Sequence, residues 1–425
     1  MNTFERLESQ VRSYSRSFPV VFVRAKGPFL WDEEGVQYLD FFAGAGTMNY
    51  GHNNPLVSQA LIEYIQKDGI LHSLDKYTAA KRDFLEAVDE RILRPRKLKY
   101  RVQFCGPTGT NAVEAALKLA RKVRGRRGVV AFTNAYHGHS LGALSVTGNV
   151  RYKNPFSGCG GDVTFMPYDG YLGKDLNTAE ILLRYLDDPS SGVGVPAAVI
   201  LETIQAEGGI NVASVAWLKE IEQICHDFNI LLIVDDIQVG NGRSGHFFSF
   251  ERAGIVPDLV VLSKAIGGGM PLSLLLINPD IDIWNPGEHT GTFRGNNLAF
   301  VAGATLLNHY WQSSSFAEGV RTKAELLRRL AQELADRSPH VIKEIRGLGM
   351  IVGIVTASGD VARKISREAF QRGLIAETAG SEGQVVKLLP PLVTDEEILR
   401  KGMSIISDSV DAVASVPAVQ LTKSE

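Results

Sequence analysis

The chain has 425 residues, a formal net charge of −2 and 22% charged side chains. A balance this close to neutral gives no footprint for nucleic acid or an anionic membrane as a partner. The length suffices for more than one core, and no apolar run is long enough to span a bilayer. Cys105, Cys159 and Cys225 are far apart and form no Cys-x-x-Cys, which fits a reducing cytoplasm. Met1-Asn2-Thr3-Phe4-Glu5-Arg6 lacks the apolar core of a signal peptide.

Residues 1–55 read as an irregular arm. Pro19-Val20-Val21-Phe22-Val23 and Pro28-Phe29-Leu30-Trp31 are strand-like, and Asp32-Glu33-Glu34-Gly35 is a turn before Gln37-Tyr38-Leu39-Asp40. Phe42-Ala43-Gly44-Ala45-Gly46 is either a tight loop or a segment that can approach a ligand closely. Helices are predicted over 56–67 and 78–93. Gln103-Phe104-Cys105 then runs into Gly106-Pro107-Thr108-Gly109-Thr110-Asn111, and a helix over 112–124 sets Val113, Ala116, Leu117 and Ala120 on one face. The turn is either an ordinary helix cap or an anion site, because free N–H groups, the helix dipole and a hydroxyl all favour phosphate. No Gly-Lys-Ser/Thr closes it, which disfavours a nucleotide.

After a strand at Val129-Val130-Ala131-Phe132 comes Tyr136-His137-Gly138-His139. No acid or further histidine lies at ligand spacing, so no metal is expected. An aromatic residue at a strand's carboxyl end instead suits stacking on a flat heterocycle. Residues 149–195 read as a loop-rich excursion over the functional face. The strand over 197–201 ends in Glu202, with Glu207 five residues on. These acids are either an acid/base pair or, as is commoner in a loop, solvated. A helix over 215–228, capped by Ser214, leads to the next strand. The recurring strand–helix–strand grain predicts an α/β fold with a parallel sheet.

That next strand, Leu231-Leu232-Ile233-Val234, ends in Asp235-Asp236. A second apolar run, Leu259-Val260-Val261-Leu262, is followed by Ser263, Lys264 and the glycines Gly267-Gly268-Gly269. In a parallel sheet the strands' carboxyl ends form the ligand crevice. An acid and a lysine delivered there match pyridoxal phosphate, which needs an amine for attachment and an acid to keep its ring nitrogen protonated. Side chains alternate along a strand, so only one of Asp235 and Asp236 can face the ring. Beyond a strand over 272–277, a polar loop and a helix over 298–310, the grain changes. A helix over 316–337, strands at 341–346 and 349–355, a helix over 361–372, strands at 374–377 and 385–389, and a helix from 395 read as a small α+β domain.

Several of these signals together resemble the class III (omega) aminotransferases of the fold-type I pyridoxal phosphate enzymes. Asp235-Asp236-Ile237-Gln238-Val239-Gly240 is similar to the family's Asp-Glu-Val-Gln-Thr-Gly, and Ser263-Lys264-Ala265-Ile266-Gly267-Gly268-Gly269 to its lysine motif. The resemblance implies a large domain with a mostly parallel sheet at 56–315, a small α+β domain at 316–425, and a segment at 1–55 joining the latter. It also implies roles. Lys264 would hold the cofactor covalently and move the proton, and Asp235 rather than Asp236 would pair with the pyridine nitrogen. Gln238 would bond the ring hydroxyl, Gly109 and Thr110 would hold the phosphate, Tyr136 would stack on the ring, and His137 would sit with it at the cofactor. Thr292 would reach the phosphate of a neighbouring subunit, implying a homodimer or larger assembly with shared sites. The implied substrates are a small amino donor and an aldehyde or keto acceptor.

Arg12-Ser13-Tyr14-Ser15-Arg16-Ser17-Phe18-Pro19, Gly106-Pro107-Thr108-Gly109-Thr110-Asn111 and Gly291-Thr292-Phe293-Arg294-Gly295 resemble one branch of that family. Its members aminate L-aspartate 4-semialdehyde with L-glutamate, giving L-2,4-diaminobutyrate for ectoine synthesis. Ornithine-type members carry tyrosine at Ala45 and arginine at His139, so ornithine is disfavoured. Many members carry arginine at Lys387, where it binds the substrate carboxylate and alternates with an ion pair to Glu207. Lys387 is expected to replace it as a point-charge partner of Glu207. Arg294 is then either a fork donor for the substrate carboxylate or part of a structural ion pair. The lysine motif is nearer the general family pattern, which leaves open another omega-aminotransferase or a glutamate-semialdehyde-type aminomutase.

Overall fold

A computed structural model describes residues 3–153 and 162–415; Cys159 and residues 416–425 of the expected small domain lie outside them. A seven-stranded sheet holds the centre, in the order Arg101–Phe104, Leu274–Ile277, Leu259–Leu262, Leu231–Asp235, Ala198–Leu201, Val129–Phe132, Val163–Met166. The strands from Leu259–Leu262 onward run parallel, and Leu274–Ile277 runs antiparallel to both of its neighbours. A turn rather than a helical crossover joins it to Leu262, so the chain comes back in the opposite direction.

The strands are continuous apolar runs because both faces of this sheet are covered. Leu231 and Ile233 point into one layer with Val113, Ala116 and Leu117 of the helix Gly109–Arg124. Leu232 and Val234 point into the other, with Trp217, Leu218 and Ile221 of the helix Val215–Asp227. This alternation buries the whole strand and leaves its carboxyl end as the first polar position.

Residues 149–195 are not simply an excursion. They include the edge strand Val163–Met166 and the helix Thr178–Asp187. The Asn177 side chain caps that helix by accepting from the Ala179 N–H, and Ala179, Leu182 and Leu186 are buried.

A second core lies under the helices Ser315–Arg337, Gly359–Gln371 and Glu396–Ala414. They cover an antiparallel sheet ordered Ile342–Gly347, Val352–Thr356, Val385–Leu388, Glu377–Ala379. Near the amino terminus, Phe22–Lys26, Phe29–Asp32 and Gln37–Asp40 form a sheet completed by Leu374–Ile375. Leu39 and Phe41 enter the second core.

Candidate active site

The carboxyl ends of the central strands open on a cavity of about 670 Å³. Asp235, Lys264, Gly109, Thr110, Tyr136, His137, Gln238 and Glu207 all line it. Asp235 faces the cavity, the position that the family resemblance implies for it. Asp236 points away and accepts from the Ser249 N–H at 3.0 Å.

Lys264 follows the extended Ser263 and has φ of 52°. A non-glycine residue in the left-handed region is disfavoured by about 1 kcal/mol or more and persists where its surroundings impose it. Here the Ser263 hydroxyl donates to the Leu272 carbonyl at 2.7 Å, and Gly268 and Gly269 continue the turn at φ of 60° and 94°. Burial lowers the lysine's proton affinity; repulsion from Lys387 adds to this, while Glu207, Glu377 and Asp235 oppose it. A lysine so placed is a better base than a solvated one.

His137 is buried, and its Nδ1 lies 2.8 Å from Oδ2 of Asp235. The other carboxylate oxygen accepts from the Ile237 N–H at 3.1 Å. The histidine's own N–H donates to Thr147 Oγ1 at 3.0 Å. His137 therefore acts on Asp235, fixing the direction in which the acid presents its oxygens. His139 instead packs against Tyr136 and Tyr152, at ring separations of 5.3 Å and 4.7 Å.

On the same cavity, the helix Gly109–Arg124 starts without a side-chain cap from Thr108. Its first-turn N–H groups are the ones a helix leaves unpaired. Ser140 donates to Glu114 Oε1 at 2.6 Å, so its oxygen receives the Thr110 hydroxyl, also at 2.6 Å. A Cβ on Gly109 would stand 2.6 Å from Ile237 Cδ1, and one on Gly138 would stand 2.5 Å from Thr110 Oγ1. Both positions are kept clear of side chains beside the helix start.

Of the two loop acids, Glu202 is buried and Glu207 is half-buried at the cavity wall. Glu202 accepts from the Tyr136 N–H at 3.0 Å. Burial, reinforced by Asp235, holds its carboxyl well above the usual range. Burial alone would also raise Glu207, but Lys387 and Lys264 bring it down to about 2. The fold encloses Glu202 and half-buries Glu207, which local polarity does not reveal.

Lys387 is fully buried, with Nζ 2.6 Å from Glu207 Oε1 and 2.8 Å from Glu377 Oε1. Burial would lower its proton affinity, but the two carboxylates more than reverse this. Glu377 is pushed up to about 7 by burial, against the pull of Lys387. Gln238 donates through Nε2 to the Ala45 carbonyl at 2.8 Å and to Glu207 Oε1 at 3.1 Å. Sequence reasoning missed Glu377. The available signal was an acid directly after the apolar run Leu374-Ile375-Ala376. Tyr14, which also lines the cavity, was missed as well.

Thr292 and Arg294 do not line the cavity. They lie in the turn Thr292–Gly295, and the Arg294 guanidinium pairs with Asp75. The turn is pinned to the 71–75 segment by Ser73 N–H donating to the Gly295 carbonyl and Asn297 N–H donating to the Leu71 carbonyl, both at 3.0 Å. Within one chain, the Arg294 guanidinium is therefore part of an ion pair and does not reach the site.

The family model for class-III aminotransferases matches residues 11–410. The chain belongs to this family. A diaminobutyrate–2-oxoglutarate transaminase from Wolinella succinogenes is 55% identical over 97% of this chain and 96% of its own. An uncharacterized aminotransferase, y4qG, from Sinorhizobium fredii is 56% identical over 96% of this chain and 92% of its own. Among solved structures, ornithine aminotransferase from Toxoplasma gondii superposes with a TM-score of 0.83 at 26% identity, covering 97% of this chain and 94% of that one.

The cofactor of this class III aminotransferase is pyridoxal phosphate. The cavity fits it. A lysine amine, an oriented carboxylate and a helix start cleared of side chains all line it. Tyr136 and Ile237 supply aromatic and aliphatic walls suited to a flat ring.

Proposed function

We propose that this aminotransferase moves the amino group of L-glutamate to the distal aldehyde of L-aspartate 4-semialdehyde, giving 2-oxoglutarate and L-2,4-diaminobutyrate. The observation that carries the chemistry is the convergence of Lys264, the Asp235–His137 pair and the open start of the helix Gly109–Arg124 on one cavity. The name of the Wolinella succinogenes relative supports the acceptor.

Bound pyridoxal phosphate supplies an electron sink for the charge left when a proton leaves the substrate carbon. The chain's residues do the rest. Lys264 attaches the cofactor, takes that proton as a base and returns it as an acid. Asp235, held by His137, keeps a proton at the pyridine nitrogen. Gly109 and Thr110 bind the phosphate, and Tyr136 and Ile237 hold the ring plane. Gln238 would bond the ring hydroxyl; its amide hydrogens are committed to Ala45 and Glu207, and its Oε1 lies 3.4 Å from Lys387 Nζ. Glu207 is the acid that meets the substrate's charged groups, and the buried Lys387, which does not line the cavity, balances its charge.

The same reading takes the chain as a homodimer. Phe293 and Tyr77 are 65% and 99% exposed, on the two segments that the Arg294–Asp75 pair joins, a surface suited to burial by a second copy. Thr292 and Arg294 would then serve the partner's site. The domain limits 56–315 and 316–425, a cytoplasmic location and ectoine synthesis complete the proposal.

The test is a panel of amino acceptors with glutamate as donor, followed by product identification. Aspartate 4-semialdehyde should be the preferred acceptor. Preference for succinate semialdehyde would move the enzyme to the 4-aminobutyrate type, and turnover without glutamate would make it an aminomutase.

A further inference from the structure

The cofactor cavity has a side recess. Tyr136, Tyr152 and Glu207 line both, and Asn149, Arg151 and Ser381 help to close the recess. Its volume is about 20 Å³, room for one small polar group and not for a whole ligand. It is therefore an extension of the site rather than a second one. Among the described residues lining cavity and recess, Arg151 is the only arginine and Lys264 the only lysine.

Arg151 sits in the turn Val150–Tyr152, which Asn149 caps by accepting from the Arg151 N–H at 3.0 Å. The guanidinium lies 4.6 Å from the centre of the Tyr152 ring, and its Nη2 donates to the hydroxyl of the same residue. The Tyr152 ring stands 5.9 Å from that of Tyr136, which faces the cofactor. Arg151 is exposed, and no carboxylate among the described residues pairs with it. A phenol hydroxyl is a weak partner for a guanidinium, and a carboxylate taken in a fork is a stronger one. The other cations near the site are engaged. Lys264 serves the cofactor, Lys387 is held by Glu207 and Glu377, and Arg294 pairs with Asp75 away from the cavity.

The chemistry of the two substrates sets where a free cation is needed. In L-glutamate the reacting atom is the α-carbon, and the side-chain carboxylate lies three carbons further out. In L-aspartate 4-semialdehyde the reacting atom is the aldehyde carbon, and the α-carboxylate also lies three carbons further out. One cation at that reach serves both halves of the reaction. We propose that Arg151 is this cation. It turns from the Tyr152 hydroxyl to take the side-chain carboxylate of the donor, and then the α-carboxylate of the acceptor, in the same place. Arg151 thus determines specificity and moves no proton. The inference rests on the reaction proposed above for the identity of the two substrates.

The test is single-turnover kinetics of the cofactor-loaded enzyme, followed by visible absorbance, in wild type, Arg151→Ala and Arg151→Lys. Glutamate is compared with alanine as donor, and the semialdehyde with propanal as acceptor, because alanine and propanal lack the distal carboxylate. Arg151 is exposed, so both variants should fold. Arg151→Ala should lower the second-order rate constant by about tenfold to a hundredfold for glutamate and for the semialdehyde, with alanine and propanal unchanged. Arg151→Lys should recover part of the loss. Equal losses with all four substrates would make the arginine structural, and no loss with any would show that it does not reach them; either result overturns the proposal. A loss confined to glutamate or to the semialdehyde overturns the shared position. Failure of the reaction itself reads differently: wild type would then not turn over the semialdehyde, and the glutamate–alanine comparison would still decide the role of Arg151.

Discussion

Glu377 and Lys387 stand directly opposite each other on neighbouring antiparallel strands, with Oε1 and Nζ 2.8 Å apart. The same ammonium lies 2.6 Å from Glu207, so one buried cation serves two acids from distant parts of the chain. Removing it would leave both acids without compensation. Lys387→Met is expected to lower stability by about 3–5 kcal/mol and to raise KM for glutamate. Urea unfolding at pH 8 measures the first effect, and adding Glu377→Gln should recover part of the loss. An unchanged unfolding midpoint would show that the triad is not held by this charge.

Asp236 gives a pH dependence of definite sign. Burial raises its carboxyl to about 7 from an ordinary 3.8, with Ser249 opposing and Asp235 and Glu251 adding. Between those values the folded chain holds a proton that the unfolded chain has released. The contribution to stability therefore falls as pH climbs from about 4 through about 7, and is flat above that. Asp236→Asn should make the slope shallower, leaving the shares of Glu202 and Glu377, and be more stable than wild type at pH 8 by roughly 2–4 kcal/mol. Thermal unfolding from pH 4 to 8 decides the matter, and an unchanged slope in the variant would show that Asp236 does not contribute to it.

The Asp235–His137 pair predicts a graded loss of activity. His137→Ala leaves the acid in place but frees it to turn, and should lower kcat by about tenfold. Asp235→Ala removes the ring-nitrogen partner altogether and should lower kcat by at least about a thousandfold. The bound cofactor's visible absorbance should change its pH profile in both variants. If His137→Ala keeps the wild-type profile and kcat, the histidine only fills space.

Gly109 is small for a local reason, since an added Cβ would meet Ile237 Cδ1 at 2.6 Å. Gly109→Ala should push Ile237 toward the ring site and tilt the first-turn N–H groups. Cofactor affinity is expected to fall by about tenfold, read by fluorescence titration. Pairing it with Ile237→Val should restore much of the loss, whereas equal affinity in Gly109→Ala and wild type would remove this glycine from the phosphate cradle.

Much of the site was legible because its positions follow from local patterns. A continuous apolar run such as Leu231-Leu232-Ile233-Val234 marks a strand buried on both faces, and the acid that ends it falls at the crevice. Lys264 was legible for the same reason, through Leu259-Val260-Val261-Leu262. Glu377 was not, because its meaning lies in a cross-strand register with a lysine ten residues on, and register is set by the tertiary fold. For Glu202 and Glu207 the choice stayed open, because loop composition reports polarity and not enclosure. The helix Thr178–Asp187 carried its own signal in the Asn177 cap and the apolar spacing of Ala179, Leu182 and Leu186, masked by the glycines and prolines on either side.

The central claim is that nitrogen moves from glutamate to the distal carbon of aspartate 4-semialdehyde through Lys264. The direct measurement incubates the cofactor-loaded enzyme with amino-labelled [15N]glutamate and the semialdehyde, with Lys264→Ala in parallel, and locates the label by mass spectrometry and NMR. The account predicts label at the 4-amino group of 2,4-diaminobutyrate, an equal amount of 2-oxoglutarate, and no product from the variant. Label in another product, diaminobutyrate formed without glutamate, or wild-type turnover by Lys264→Ala would contradict it.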